Sequence, residues 1–343
     1  MAFARTEPLR RELASALPRR PFALRFWDGT AVEATEPDAP TFSFLSPQAL
    51  AHVIRAPGEL GLGRAFVLGL LETDDIEKAL WVVDTFEPPR VSPKQIARLG
   101  VAVVRACGLV WPPRTPASEL RLTGERHTIG RDRRAVRYHY DAGNEFFSLF
   151  LDPSMTYSCA YFSGGATTLE EAQRAKLDLV CTKLALREGE RVLDVGCGWG
   201  SFAIHAAANY GVRVLGVTLS EQQVMLGRER VREAGLQDRV ELRVADYREL
   251  ASHSSREGFD AISSIGMVEH VGAERIELYM RTLHDLLHPG GRLLNHGIAK
   301  LMDFDDPDEG PFSERFVFPD GVPLPLSRIV GAMERTGLVV RHI

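Results

Sequence analysis

Residues 191–211, RVLDVGCGWGSFAIHAAANYG, constrain the fold more than any other part of the sequence. A short apolar run that carries Asp194 leads into a turn and then into an alanine-rich helical pattern. The turn contains three alternating glycines: Gly196, Gly198 and Gly200. Glycine suits such a turn because the backbone must bend sharply and admit a ligand where a Cβ would be in the way. A strand, a tight turn and a helix in this order predict the nucleotide-binding half of a doubly wound α/β domain.

Strands and helices alternate through the rest of the chain. We predict six strands, at residues 191–195, 212–220, 240–246, 259–266, 291–299 and from 338 onward. Helical patterns separate most of them, and a phenylalanine-rich helical segment precedes the first. This alternation favours a mostly parallel sheet with right-handed crossovers. The predicted fold class is therefore α/β, with a doubly wound, Rossmann-like sheet.

The N-terminal third of the chain has a different pattern. Short strand-like segments flank a turn at Asp28 and Gly29, and helical patterns begin after Ser46 and Asp74, which we assign as N-caps. The proline-rich segment WPPRTPASE, residues 111–119, has the composition of a linker. We predict a smaller α+β domain at residues 1–115 and a second domain at residues 116–343.

Charge and cysteine content restrict the classes of protein. The net charge of −5 argues against a general nucleic-acid-binding protein, which would be basic. The four cysteines form no C-x-x-C pair and no zinc-ligand spacing, so we predict reduced thiols and no metal. The N-terminus lacks the apolar core of a signal peptide, and the longest apolar run is interrupted by Arg105. These features predict a cytoplasmic protein, either free in solution or peripheral at the inner face of a membrane.

Two segments are candidates for membrane contact. Leu9, Leu13 and Leu17 recur at four-residue spacing, as in a helix that lies in a membrane interface. The basic residues between Arg121 and Arg137 are candidates for contact with anionic head groups. The alternative for the basic residues is an ordinary solvated face.

Polar residues follow several of the predicted strands. In an open parallel sheet the ligand lies at the carboxyl ends of the strands. Asp246 follows the third strand, where a carboxylate suits an adenine amino group because it accepts hydrogen bonds. Taken alone, Asp246 is equally consistent with a helix cap or a turn. A nucleotide dehydrogenase would place a carboxylate after the second strand, and this chain has Thr218 there, so hydride transfer is a weaker interpretation.

Five separated motifs carry a family resemblance, in the order YHYDAGNEFFSLFLDPSMTYSCAYF, LDVGCGWGS, GVTLSEQQ, SIGMVEHVG and LLNHGIA. From about Arg126 onward the chain resembles the cyclopropane-fatty-acyl-phospholipid synthase family, which includes mycolic-acid methyltransferases. The N-terminal domain resembles the smaller lipid-associated domain of the longer bacterial synthases. A sheet of this kind normally has a seventh, antiparallel strand between strands five and six. No residues remain for it, so we expect a C-terminally incomplete catalytic domain.

The resemblance implies S-adenosylmethionine (SAM) as cofactor and bicarbonate as general base. The residues implied to contact SAM are Tyr157 and Ser158 from a helical lid, Leu193, Asp194, Gly196, Gly198, Gly200 and Ser201 from the glycine turn, Thr218, Leu219 and Gln223 at the ribose, and Asp246 and Tyr247 at the adenine. The residues implied to hold bicarbonate are Cys159, Glu269, His296 and Ile298, of which the cysteine and the isoleucine act through backbone groups. A further tyrosine completes this site in the family and lies in the part that this sequence lacks.

The implied reaction is attack of a cis alkene on the sulfonium methyl group, which leaves a carbocation on the acyl chain. Loss of a proton then gives a cyclopropane or a methylene branch, and a reductase partner would convert the latter into a methyl branch. The position of the base decides between these products. Aromatic rings would shield the cation. The candidates, each with an ordinary core role as its alternative, are Tyr140, Phe147, Tyr157, Tyr161 and Phe162.

We therefore predict an enzyme that transfers a one-carbon unit from SAM to the double bond of an unsaturated phospholipid acyl chain. Two alternatives stay open: a SAM-dependent methyltransferase of a small amine or other metabolite, and a lipid-binding protein without catalytic activity. The sequence does not decide the product type, the position of the double bond, or whether the protein is a homo-oligomer.

Overall fold

The computed structural model describes residues 6–108, 113–140, 142–250, 258–300 and 310–343. The chain divides into two compact units. The first extends to Glu119 and also takes in Gly310–Phe316, and the second comprises the remainder from Leu120. Each unit has a hydrophobic core of its own.

The helices and strands are numbered in chain order. Up to residue 119 they are α1 (Glu7–Ala16), β1 (Ala23–Arg25), β2 (Ala31–Val32), β3 (Thr41–Phe44), α2 (Pro47–Arg55), α3 (Glu59–Val67), β4 (Leu71–Thr73), α4 (Ile76–Thr85) and α5 (Pro93–Cys107). From residue 120 they are α6 (Ile129–Tyr140), α7 (Asn144–Ser148), α8 (Leu169–Lys183), β5 (Arg191–Val195), α9 (Ser201–Tyr210), β6 (Arg213–Thr218), α10 (Glu221–Glu233), β7 (Val240–Val244), α11 (Tyr247–Leu250), β8 (Phe259–Ile265), a 3-10 turn (Val268–His270), α12 (Ile276–Leu286), β9 (Leu287–His296), β10 (Ala299–Lys300), α13 (Pro311–Phe316), β11 (Leu324–Pro325) and α14 (Leu326–Arg335).

The first unit contains a four-stranded mixed sheet in the order β2-β1-β3-β4. The turn between β1 and β2 forms at Asp28 and Gly29, where Gly29 has a φ of +79° and the Thr30 backbone N–H donates to Asp28 Oδ1 at 3.1 Å. The prediction for the N-cap of α4 is wrong by one residue. Asp75 accepts from the Lys78 N–H, whereas Asp74 accepts from the Thr41 N–H at the start of β3.

The leucine stripe of α1 faces the core of the first unit. Leu9 is only 1% exposed, and Leu13 and Leu17 pack against the same core. This apolar face is therefore unavailable to a membrane interface, and the membrane prediction for this segment is wrong. Across the described residues, no helix combines the length and apolar composition needed to cross a membrane.

The second unit is built on a parallel five-stranded sheet in the order β7-β6-β5-β8-β9. Successive residues of a strand point to opposite faces of a sheet. Val192 of β5 accordingly packs with α8, α9 and α10, whereas Leu193 packs with α12 and α14 on the other face. The order along the chain reverses beside β5, which is where such folds bind ligands. The predicted α/β class and doubly wound sheet are confirmed.

Two elements of the second unit differ from the prediction. Residues 338–343 form no strand: among the described residues the parallel sheet ends at β9, and these residues pair with none of its strands. The phenylalanine-rich helical segment is not continuous, since Gly143, with a φ of +89°, caps the N-terminus of the separate helix α7.

Candidate active site

A cavity in the second unit lies at the carboxyl ends of the parallel strands. Most residues predicted to contact the cofactor line it, namely Tyr157, Ser158, Asp194, Gly196, Gly198, Ser201, Thr218, Leu219, Gln223, Asp246 and Tyr247. Two predicted residues do not. Leu193 is fully buried in the core, and Gly200 serves as the N-cap of α9 in the left-handed region, with a φ of +80°.

The three glycines of the turn have different structural roles. All three have a positive φ. A Cβ on Gly196 would lie 2.4 Å from Met267 Cγ, and one on Gly200 would lie 3.0 Å from Leu242 Cδ1, so both are required by packing. A Cβ on Gly198 would meet only Gln223 Nε2, at 4.0 Å. Gly196 and Gly200 therefore make room for neighbouring side chains, whereas the bare backbone of Gly198 makes room for a ligand.

A buried acidic residue, Asp194, lies at the base of the cavity. Its Oδ2 atom makes no hydrogen bond within the described residues. Burial raises the pKa of Asp194 to about 7, against the opposing influence of Ser263 and Lys176. A buried polar atom without a partner costs free energy unless a ligand satisfies it. The α-ammonium group of SAM is a suitable partner, so this oxygen fits the cofactor that the resemblance implies.

Lys176 of α8, which the sequence reasoning missed, is a buried cation in the same cavity. Its Nζ donates to Ser158 Oγ at 2.7 Å. Burial lowers the pKa of Lys176 to about 8, although Asp194, Asp152 and Cys159 oppose this shift. Gln173, one turn earlier on α8, donates to the carbonyl oxygens of Thr156 and Ser158. The only signal in the sequence for this role is that Gln173 and Lys176, three residues apart, are polar on the otherwise apolar buried side of α8.

The segment predicted to form a lid is also tied to the glycine turn. Trp199 Nε1 donates to Asn144 Oδ1 at 2.7 Å, and Ser201 Oγ donates to the Ser154 carbonyl oxygen. With the two α8 contacts, these bonds hold Tyr157 and Ser158 over the cavity. Their position therefore depends on side chains from two other elements.

The ribose side of the cavity is preorganised by Gln223. Thr218 Oγ1 donates to Gln223 Oε1 at 2.7 Å, and Gln223 is buried. Ser220 caps α10 by accepting from the Gln223 N–H at 3.3 Å. The cap thus fixes the backbone of Gln223, and Thr218 fixes its side chain, at the carboxyl end of β6.

The adenine side contains a further residue that the sequence reasoning missed. Arg248 donates twice to Asp246 Oδ1, from its backbone N–H at 2.9 Å and from Nε at 2.8 Å, and its Nη2 donates to Oδ2 at 2.6 Å. The same guanidinium bonds to the His127 carbonyl oxygen and to Asp132. Asp246 is therefore both a turn-capping residue and a buried acceptor. Since a carboxylate oxygen accepts about two hydrogen bonds, capacity for an adenine amino group remains on Oδ2.

Two of the residues predicted to hold bicarbonate are joined by a hydrogen bond. The Ile298 backbone N–H donates to Glu269 Oε1 at 2.7 Å. This amide, implied as a direct ligand, is thus already engaged with Glu269. Gly297 matters here because a Cβ would lie 2.3 Å from Val268 Cγ1 and 3.1 Å from Glu269 Oε1.

Two buried atoms of the same region lack partners. Glu269 Oε2 and His296 Nδ1 make no hydrogen bond within the described residues. Burial raises the pKa of Glu269, opposed by the Ile298 amide, and burial together with Lys176 lowers the pKa of His296. A neutral imidazole can donate from one nitrogen while a carboxylate accepts. Bicarbonate has an O–H group that suits the carboxylate and acceptor oxygens that suit the imidazole N–H, so it fits this pair of side chains.

Cys159 is a predicted bicarbonate-site residue that the described part of the structure does not join to the other three by a hydrogen bond. Its side chain is exposed, and the described residues include no hydrogen bond from it to Glu269 or His296. It lies close enough to Lys176 to influence the pKa of that amine.

The candidate shielding aromatics separate into three groups. Tyr140 and Tyr157 line the cavity, and burial raises the pKa of Tyr140 to about 12. Phe147 is buried behind them, with its ring centroid 5.5 Å from that of Tyr140 and 5.2 Å from that of Tyr157, so it acts as a core aromatic. Tyr161 and Phe162 are exposed and do not line the cavity.

Comparison with known proteins shows which enzymes this chain resembles in sequence. The family described as mycolic acid cyclopropane synthetase matches residues 127–343. A probable fatty acid methyltransferase of Mycobacterium tuberculosis is 37% identical over 96% of this chain and 78% of its own length. The cyclopropane-fatty-acyl-phospholipid synthase of Escherichia coli is 42% identical over 59% of this chain, which corresponds to 51% of that synthase.

Solved structures extend the similarity to the fold. A cyclopropane synthase from Mycobacterium tuberculosis superposes with a TM-score of 0.56 at 35% identity, covering 61% of this chain and 76% of that one. A mycolic acid cyclopropane synthase in complex with SAH and CTAB superposes with a TM-score of 0.55 at 34% identity, with the same coverage of both chains. SAH is S-adenosylhomocysteine, the form that SAM takes after it loses its methyl group.

Proposed function

This chain belongs to the mycolic acid cyclopropane synthetase family, and on that premise we propose that it transfers a one-carbon unit from SAM to the cis double bond of an unsaturated phospholipid acyl chain. Membership makes the protein a SAM-dependent methyltransferase that acts on lipid acyl chains. The finer proposal is supported chiefly by two buried atoms, Glu269 Oε2 and His296 Nδ1, that have no hydrogen-bond partner among the residues the structure describes. A cation on an acyl chain must lose a carbon-bound proton, and these two atoms are suited to hold the base that accepts it.

Residues of the cavity bind and orient the cofactor. SAM supplies an electrophilic methyl group when it is bound. Asp194 Oδ2 would accept from the α-ammonium group, Gln223 and Thr218 would contact the ribose, and the remaining capacity of Asp246 would accept from the adenine. Because Thr218, Gln223 and Asp246 are held by hydrogen bonds to other side chains, binding requires little reorganisation of them.

The chain holds the base in place. Glu269 Oε2, as an acceptor, and His296 Nδ1, as a donor, would hold a bicarbonate ion. Bicarbonate bound there would supply the acceptor for the proton that leaves the acyl cation. Tyr140 and Tyr157 face the cavity, where their rings exclude water and favour a nearby cation by cation–π attraction.

A direct assay tests the substrate class. SAM with a deuterated methyl group is incubated with vesicles of a cis-unsaturated phospholipid, with vesicles of its saturated analogue, and with a panel of small amines. We expect label only in the unsaturated lipid, because the saturated analogue has no double bond to attack the sulfonium methyl and the proposed site accepts an acyl chain rather than an amine. Mass spectrometry of the extracted lipid also distinguishes a ring from a methylene branch, which would require a reductase partner to become a methyl branch. Label in the amines and none in lipid would refute the proposal.

The buried pair of Lys176 and Asp194 leads to a prediction for pH dependence. Cofactor binding requires the charged form of Asp194, so SAM affinity should fall as the pH decreases below about 7. Replacing Lys176 by methionine removes a stabilising positive charge and raises the pKa of Asp194 further. The decline in affinity should therefore begin at a higher pH in the variant, with affinities converging in alkaline buffer. Calorimetric titration with SAM from pH 6 to about 9 measures this shift.

Ser158→Ala is the matched control for that prediction. It removes the hydrogen bond from Lys176 but keeps the ammonium charge, so its pH profile should follow that of the wild type. An unshifted profile in Lys176→Met would show that the amine does not act on Asp194.

The first unit is proposed to serve substrate access, because no predicted catalytic residue lies in it. Transfer of an acyl chain through water costs about 0.8 kcal/mol per methylene group, and a shielded path would avoid this cost. Deletion is a poor test of this role. Within the unit, the Phe312 backbone N–H donates to Glu59, and Arg315 pairs with the buried Glu119, so truncation would break both contacts.

A further inference from the structure

Helix α5 of the first unit exposes an apolar face. Its opposite face is buried, with Ala102 and Ala106 in the core. Ile96, Val101 and Val104 are 59%, 53% and 52% exposed, respectively. Residues 96, 97, 100, 101 and 104 share one side of the helix, because neighbours on a helix surface are three or four residues apart. These positions are all occupied by apolar residues or glycine, and we call them the α5 stripe. A continuous apolar stripe facing solvent needs a partner, unlike a single exposed apolar residue.

Positive charge borders this stripe. Lys94, Arg98 and Arg105 are exposed, and their spacing of four and seven residues aligns them along one edge of the α5 stripe. The helix contains no acidic residue. An apolar face with cations along its border is typical of helices that lie in the interface of an anionic membrane.

Helix α4 of the same unit also exposes large apolar side chains. Trp81 of α4 is 70% exposed, and Leu80 beside it is also exposed. Tryptophan is enriched at membrane interfaces, since its ring is apolar and its N–H is polar. These residues contrast with the leucines of α1, which are used by the core.

The charge pattern favours a lipid surface over a second copy of the chain. In a symmetric dimer the same patch occurs on both partners, so contact through the α5 stripe would bring two sets of like charges into one interface. An anionic bilayer offers both a complementary charge and an apolar layer beneath it.

We propose that the α5 stripe and its three cations dock onto an anionic phospholipid bilayer. The proposal rests on the proposed lipid substrate for its biological purpose, since docking would hold the enzyme at the membrane that contains that substrate. Docking itself is separate from the chemistry, because none of these residues lines the cavity.

Vesicle co-sedimentation of the full chain tests the surface. Wild type is expected to bind vesicles that contain phosphatidylglycerol, and to bind less tightly to pure phosphatidylcholine or in high salt. The double variant Arg98→Gln/Arg105→Gln should lose about 10- to 30-fold in affinity for the anionic vesicles. Ile96→Ser/Val104→Ser should weaken binding to both kinds of vesicle, because it removes apolar contact.

Matched controls lie on α10 of the second unit. Met225→Ser and Arg232→Gln change an exposed apolar and an exposed basic residue, and they should leave vesicle binding unaltered. Equal vesicle binding by wild type and both α5 variants would overturn the proposal. So would a change of oligomeric state in the α5 variants, measured by light scattering without lipid, since it would identify the stripe as a contact between copies.

Activity on detergent-dispersed lipid separates this proposal from the proposed function. The α5 variants should retain wild-type SAM affinity and turnover on dispersed substrate, which also shows that they are folded, and lose turnover on anionic vesicles. Loss of turnover on both substrates with unchanged vesicle binding would contradict the docking role. Vesicle binding through α5 by a wild type that modifies no lipid would support docking and refute the proposed function.

Discussion

Replacing Glu269 by glutamine is expected to lower turnover by about 100- to 10,000-fold, the range typical for loss of general-base catalysis. Glutamine keeps an oxygen that can accept from the Ile298 amide, so the local backbone should be preserved. Its amide nitrogen, however, donates where Glu269 Oε2 accepts, so it would face the bicarbonate O–H donor to donor. SAM affinity should stay essentially unchanged, because Glu269 does not line the cofactor cavity. Turnover on unsaturated lipid and calorimetric SAM titration measure the two effects separately.

Glu229→Gln provides the control for this variant, since it makes the same change at an exposed position on α10. Removal of dissolved bicarbonate should lower wild-type turnover, and adding bicarbonate back should restore it. The glutamine variant should show little response to either treatment. Near-wild-type turnover in Glu269→Gln would refute the assignment of the base site.

The features that the sequence predicted well depend on local backbone geometry. The glycine turn is one example: its positive φ angles and its position between β5 and α9 follow from residue type and spacing alone. The alternation of strands and helices likewise determined the parallel sheet. The family resemblance then indicated candidate residues at the strand ends, and most of the residues indicated for the cofactor line one cavity.

The features that the sequence did not predict depend on contacts between distant residues. Lys176 and Gln173 belong to a helix that shows no catalytic pattern, and their importance appears only where α8 packs beside residues 156–158. Arg248 acquires its role because it reaches both Asp246 and the distant Asp132.

The apolar faces of helices α1 and α5 in the first unit illustrate the same limit. The stripes of α1 and α5 are both compatible with an amphipathic helix, and periodicity cannot tell which stripe is buried. In the fold, the leucines of α1 join the core, whereas Ile96, Val101 and Val104 of α5 do not.

Replacing Gly198 by valine is expected to abolish measurable SAM binding. The protein itself has room for the new side chain, because a Cβ at this position would have Gln223 Nε2 as its nearest neighbour, at 4.0 Å. The branched methyl groups would instead occupy the cavity beside the backbone, where the cofactor must approach closely. The φ of +52° adds backbone strain of about 1–2 kcal/mol for a non-glycine residue, which alone would lower stability modestly. SAM titration and thermal unfolding measure the two effects.

Gly235→Val separates backbone strain from occlusion of the cavity. Gly235 follows α10 with a φ of +68° and has open space around its Cα, so valine there imposes similar strain away from the cavity. Both variants should show a comparable decrease in the free energy of unfolding, but only Gly198→Val should lose SAM binding. Gly198→Ala should fall between wild type and valine in SAM affinity, because its single methyl group intrudes less. Equal SAM affinity in Gly198→Val and Gly235→Val would mean that the turn does not contact the cofactor at this residue, and that the ligand lies elsewhere along the strand ends.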